Sequence, residues 1–364
     1  MYSFAILRPF DQKEVVVKRL VLLILLFFST LYPDNEFFQL MGKETPHWIH
    51  VSKTEDTLAL EKFGMLYEAN KNLRFTEEGP YKIPKVIHFI WLGPQPFPPQ
   101  SVENIRSWLA YHPDWKIKFW TDRERLPPCN DMEVCLVDTF PFLFLRHCYE
   151  ESENWGEKSD VLRFEILYQE GGVYADHDAN CLQKFDGLHR GYDFYCGLES
   201  PHPPIAGRNI TSGNGVIGSR SFHPIIGRVI ELIGKEWKDI GLKYRGRDGY
   251  SRTQLVMERT YIRLTEGLMD RLCEDGNVDI IFPAAFFFAK KGISPLYSRH
   301  FFANAWADEA IHDAEFKKST RRALFQLQNR NKIIRLIGRG ALSLNLMALV
   351  GIFFYLIRKK RKRL

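Results

Sequence analysis

EKSDVLRFEILYQEGGVYADHDAN, residues 157–180, decides how the chain is read. Val161, Phe164, Ile166 and Leu167 recur at helical spacing, and Gly171 is the stop. GVYAD then reads as a short strand, along which side chains alternate faces. On that pattern Tyr174, Asp176 and Asp178 share one side, and His177 is a spacer turned to the other. Side-by-side carboxylates repel unless a cation sits between them. Asp160 and Arg163, three apart on one face of the preceding helix, bring a third carboxylate and a guanidinium to the same place. A hard divalent ion takes carboxylate oxygens, and a nucleotide diphosphate leaving group takes that ion together with an arginine. The stretch reads as a cation-and-diphosphate site.

Upstream, KVIHFIWLG (85–93) reads as a buried strand, QSVENIRSWLAYH as a helix and KIKFWT (116–121) as a second strand, a β-α-β unit. Residues 131–147 read as helix-rich. In an open α/β sheet ligands gather at the carboxyl ends of strands, and Asp176 stands at one.

The 364 residues carry 45% apolar and 14% aromatic side chains, enough for a substantial core. The net charge of +6 is concentrated late in the chain, in a basic run between Lys317 and Arg339 and in RKKRKRL (358–364). The near-neutral middle argues against a nucleic-acid partner, which needs Lys and Arg spread over a working face. GALSLNLMALVGIFFYLI (340–357) has no charged residue and as a helix would cover about 27 Å, close to a bilayer core. It reads as a transmembrane helix, against the alternative of a buried core helix. Leu20 to Tyr32 reads as an N-terminal anchor or signal anchor behind Lys18 and Arg19. The basic flanks would put residues 33–339 on the far side of the membrane, and Arg330, Lys332, Arg335 and Arg339 oppose that topology. The six cysteines form no Cys-x-x-Cys pair and read as free thiols. The sequon Asn209-Ile210-Thr211 would fit a secretory lumen.

IPKVIHFIWLG, HPDWKIKFWTD, SDVLRFEILYQEGGVYADHD and RHFFANAW, in that order, resemble glycosyltransferase family 32 over roughly residues 83 to 306. That family includes inositol-phosphoceramide and Golgi-type mannosyltransferases, α-1,4-glycosyltransferases and the transferase domains of large clostridial toxins. Ser-Asp-x-x-Arg, a helix, then Gly-Gly-x-Tyr-x-Asp-x-Asp is a specific combination; a lone Asp-x-Asp is not. The resemblance implies an α/β GT-A fold, Rossmann-like, with helical insertions and terminal membrane segments. It implies retaining, metal-dependent transfer of a hexose, mannose favoured, from GDP-mannose or a UDP-hexose to a lipid or glycan acceptor, with Mn²⁺ or Mg²⁺ as cofactor.

Carried over residue by residue, the resemblance puts Trp91 beside the nucleotide base. Asp160 and Arg163 would be catalytic and contact the donor sugar, with Tyr174, Asp176 and Asn214 also on the substrate. His300 and Trp306 would close over the diphosphate. Asp176 and Asp178 would serve the metal. Asn304 is the candidate for its second protein ligand, which stands open because Ala305 replaces the family's usual serine. RTYIRLT (259–265) replaces the family's Thr-Gly-Pro loop, which weakens substrate assignment by analogy. Trp91 and Trp306 would also serve as ordinary core aromatics, and Asp160 with Arg163 as a surface ion pair.

The expected organisation is an anchor (1–32), an extension (33–82), the transferase domain (83–310), a basic connector (311–339), the transmembrane helix (340–357) and a basic tail (358–364). A Golgi or other secretory membrane with a lumenal domain is expected in a eukaryote, and the cytoplasmic membrane in a bacterium. The alternatives are an inactive transferase-fold binding protein and a haloacid-dehalogenase-type phosphohydrolase using EDGNVD (274–279) as its later acidic motif.

Overall fold

The computed structural model describes residues 35–246 and 250–303. Seven strands, β1 (Val86–Ile90), β2 (Lys116–Thr121), β3 (Glu133–Leu136), β4 (Gly172–Ala175), β6 (Phe194–Leu198), β7 (Ser212–Ser219) and β8 (Asp279–Phe282), form one sheet. Their order is β3-β2-β1-β4-β7-β6-β8. The first four are mutually parallel, β7 runs against both β4 and β6, and β8 is parallel to β6. β5 (Ala179–Cys181) and β9 (Ser298–His300) form a separate antiparallel pair. This is a mixed α/β architecture with a parallel-rich central sheet. Central strands covered on both faces read as unbroken apolar runs, and β4 and β6 are buried throughout.

Helix α1 (Thr54–Asn70) covers the β8 edge, where Tyr67 meets Phe282 and Phe286 with ring centroids 6.3 and 5.9 Å apart. Helix α2 (Pro99–Tyr111) links β1 to β2. Helix α3 (Trp155–Glu170) leads into β4, and α4 (Pro224–Lys243) packs against both α3 and α5 (Ile262–Arg271).

The turn between α3 and β4 requires its glycines. Gly171 has φ +66° and Gly172 φ +94°, and a Cβ on Gly172 would lie 2.6 Å from Val86 O. The neighbouring strand therefore comes close enough to place β4 directly beside β1.

Several expectations change. Residues 131–147 are not helix-rich, since β3 occupies part of them and the α-helix begins only at Arg146. The buried Glu165 carboxylate accepts from the N–H groups of Leu143, Phe144 and Leu145 at 3.1, 2.7 and 2.6 Å, giving an open loop the partners a helix would have supplied. RTYIRLT is not a loop: Met257–Tyr261 is a π-helical turn running into α5.

The sequon lies inside the fold. Asn209 is 3% exposed and its amide donates to His202 O, which leaves it inaccessible as a glycan acceptor in the folded state. All six cysteines are free, three of them buried and Cys273 exposed. Among the described residues no helix is long and apolar enough to cross a membrane. The segments read as anchors, 20–32 and 340–357, and the connector and tail lie outside the described residues.

Candidate active site

The sheet collects the motif residues at one cavity of about 230 Å³, at the carboxyl ends of β1 and β4. Asp176 follows β4, and its N–H donates to Gly215 O on β7 at 2.8 Å. The pairing of Asp176 with Asp178 is not made by strand alternation as expected. The strand ends at Ala175 and a tight turn follows, closed by Ala179 N–H on Asp176 O at 3.0 Å. Both carboxylates nevertheless face His300 on β9, whose Nε2 lies 3.1 Å from Asp176 Oδ2 and 3.4 Å from Asp178 Oδ1. Ala303 N–H donates to Asp178 Oδ2 at 2.6 Å.

Helix α3 sends two charged side chains under that pair. Arg163 Nη2 lies 2.7 Å from Asp160 Oδ1 and 3.5 Å from Asp176 Oδ1, and Nη1 donates to Asn214 O. Its guanidinium sits 4.1 Å from the centre of the Tyr174 ring, while Tyr174 OH donates to Asp176 Oδ1 at 2.5 Å. Asp160 also accepts from Asn214 Nδ2 at 3.1 Å and Thr260 Oγ1 at 2.5 Å. With side-chain exposures of 5% and 12%, Arg163 and Asp160 are not a surface ion pair.

Electrostatics follow from these contacts. Burial opposes ionisation of Asp176, but the Arg163 guanidinium and His300 hold its carboxyl well below the usual range. Burial pushes Asp160 up, against Arg163 and the Thr260 and Asn214 donors. His300 titrates high despite burial, because Asp178 and Asp176 favour its imidazolium. Arg163 is likewise raised against burial by Tyr174, Asp160 and Asp176.

Asp176, Asp178 and His300 offer ligand atoms all within 4.8 Å of one another. Two carboxylates with one imidazole fit a divalent ion such as Mn²⁺. A Cβ on Gly215 would lie 2.6 Å from Asp176 Oδ2 and 2.7 Å from His300 Nε2, so the glycine keeps that space clear.

Trp91 also lines the cavity, its Nε1 donating to Gln95 O at 2.9 Å and its ring 4.8 Å from His177. His177 turns toward α2, with Nδ1 2.8 Å from Ser101 Oγ. Burial lowers its pKa. Thus Trp91, Asp160, Arg163, Tyr174, Asp176, Asp178, Asn214 and His300 come together, whereas Asn304, Ala305 and Trp306 lie outside the described residues. EDGNVD takes no part in the cavity; its Asp279 is engaged by His223 Nε2 at 3.0 Å and Cys273 N–H at 2.7 Å.

The cavity also has walls that no motif names, Trp155, Glu199 and Phe288, together with Tyr261 from RTYIRLT. The signal that could have found Glu199 is its place at the end of the apolar run FYCGL that forms β6.

Residues 98–195 match the family described as "Glycosyltransferase sugar-binding region containing DXD motif". "Subversion of eukaryotic traffic protein A" of Legionella pneumophila is 27% identical over 43% of this chain and 26% of that protein. "Mannosyl phosphorylinositol ceramide synthase CSH1" of Saccharomyces cerevisiae is 28% identical over 61% of this chain and 55% of that protein. The chain thus matches about a quarter to a half of the length of these curated relatives. The solved structure "PaToxG Glycosyltransferase" aligns with 74% of this chain and 86% of its own at 16% identity, TM-score 0.42. Family match and relatives make the chain similar to Asp-x-Asp glycosyltransferases. Over residues 98–195 the similarity is to glycosyltransferase family 32.

Proposed function

We propose that this protein is a membrane-anchored, metal-dependent, retaining glycosyltransferase of GT-A fold that moves a hexose, mannose, from a nucleotide sugar to a lipid or glycan acceptor. The catalytic domain would be 83–310, between the terminal segments read as anchors. The observation that carries this is the joining of Arg163, Asp160 and Asp176 to the Asp178 and His300 cluster in one cavity. Mannose is supported by the names of the yeast relatives.

Transfer breaks the bond between the anomeric carbon and the diphosphate oxygen, the electron pair leaves with the diphosphate, and the acceptor hydroxyl oxygen takes the carbon while its proton passes to the departing diphosphate oxygen. Asp176, Asp178 and His300 would hold the divalent ion, with Asn304 as a further candidate ligand. A bound ion would offset the charge of the diphosphate. Arg163, flat and two-pronged, would grip a phosphate oxygen as charge develops there, an interaction that accelerates only if it strengthens in the transition state. Asp160 and Asn214 would hold sugar hydroxyls, and Trp91 would lie by the base.

The test is nucleotide release by the full chain from a panel of GDP- and UDP-sugars, with Mn²⁺ and with chelator. Slow metal-dependent splitting of one donor, GDP-mannose foremost, is expected. No release from any donor would overturn the assignment and favour a binding protein on the same fold.

A further inference from the structure

The strand order works as a ruler along the cavity. Trp91 follows β1, Asp176 follows β4, Asn214 lies on β7 and Glu199 follows β6, on four consecutive strands of the sheet. Neighbouring strands are about 4.8 Å apart, roughly one step per chemical unit of an extended ligand. On the proposed function, the first three positions serve base, diphosphate and transferred sugar. Glu199 then stands one strand further, at the sugar end.

Glu199 is oriented from behind. Its Oε2 lies 3.3 Å from Lys290 Nζ, and Tyr261 lines the same cavity beside it. Tyr261 OH is 2.6 Å from Thr211 Oγ1, which is 2.7 Å from His202 Nε2, so a buried relay steadies the tyrosine. Burial opposes the charge, yet Lys290 and His202 keep the carboxyl below its ordinary pKa, leaving it an acceptor only. The side chain still lines the cavity and remains 16% exposed, where a purely structural ion pair would be sealed behind the wall.

The π-turn borders the cavity that both carboxylates line. Thr260 donates to Asp160, and the next residue, Tyr261, lines the cavity with Glu199. One irregular turn thus fixes one acceptor group and walls the other, and π-turns within helices recur at functional sites. Paired carboxylates suit a ligand with several neighbouring hydroxyls.

We propose that Glu199, held by Lys290, is a specificity-determining residue that accepts hydrogen bonds from sugar hydroxyls at the far end of the cavity. The inference rests on the proposed transferase function. The hydroxyls belong to the transferred sugar or to the acceptor, and both have the same chemistry.

Glu199→Gln keeps the shape and turns part of the acceptor into a donor. Its effect is read in two arms with the full chain and Mn²⁺: hydrolysis of GDP-mannose against GDP-glucose without acceptor, and transfer to methyl α-mannopyranoside. If the donor sugar is read, the ratio of kcat/KM between the two donors, which differ at one hydroxyl, falls about tenfold or more. If the acceptor is read, hydrolysis stays within about twofold while KM for the methyl glycoside rises about tenfold. Either result supports the assignment. Unchanged selectivity with unchanged transfer overturns it, as does an equal loss in every arm, which marks a structural role. Should Glu199→Gln fail to fold, Lys290→Met removes the cation that orients the carboxylate and is expected to shift the same ratio or KM in the same direction; an unshifted variant overturns the assignment. A parent protein that splits no donor sinks the transferase function itself, whereas an active parent matched by Glu199→Gln sinks only the role of Glu199.

Discussion

Arg163 Nη2 lies 3.5 Å from Asp176 Oδ1, so a residue in the middle of α3 meets one that follows β4. The Gly171-Gly172 turn makes that contact by folding the strand back along its own helix. It joins the arginine to the acidic pair as one charged unit, and most tests of the site act through it.

Arg163→Lys keeps a positive charge near Asp160 but loses the fork that reaches Asp160, Asp176 and Asn214 O together. Donor hydrolysis is expected to fall on the order of a hundredfold in kcat, the scale of losing one preorganised charge stabiliser, with the circular dichroism spectrum retained. Near-normal turnover would leave Arg163 a structural role only.

Asp178→Asn removes one negative charge from the cluster with little change in volume. Mn²⁺ binding, followed by the electron paramagnetic resonance of the free ion, is expected to weaken by about tenfold or more, and transfer to be lost. Titration curves that overlay those of the parent would remove Asp178 from the ligand set.

At Gly215 the test is one of space. Its Cβ would sit 2.6 Å from Asp176 Oδ2 and 2.7 Å from His300 Nε2, so Gly215→Ala should displace the cluster. Turnover and Mn²⁺ affinity are expected to fall together by at least about tenfold. Unchanged metal binding would show that the cluster has room that the geometry denies it.

Stability should fall in acid through His88, beneath the site. Its Nε2 bonds Gly171 O at 2.9 Å and its Nδ1 accepts from Trp120 Nε1 at 3.2 Å, an arrangement that suits the neutral ring. Burial lowers its pKa from 6.5 to about 4. The unfolded chain therefore binds this proton first, and the stability present above pH 6.5 is lost as pH falls toward 4, by about 3 kcal/mol at pH 4. Denaturant midpoints of parent and His88→Gln measured from pH 7 to 4 are expected to converge toward acid. Parallel curves would mean that other groups carry the acid loss.

The local sequence determined what local physics can: the period of α3, the glycine stop, the apolar strands and the presence of two aspartates and an arginine within reach of one turn. Those features depend on nearest neighbours and side-chain type. It did not determine how Asp176 and Asp178 converge, because alternation along a strand was the wrong geometry and a turn closed at Ala179 was the right one. Nor did it determine the loop at 143–145, which the buried Glu165 holds from another element. The burial of Asn209, the approach of His300 and the place of Glu199 beyond Asn214 all come from long-range packing and strand order. Contacts between residues a hundred positions apart leave no periodicity in the chain. Only the assembled sheet, with β7 inserted antiparallel between β4 and β6, brings them to one cavity.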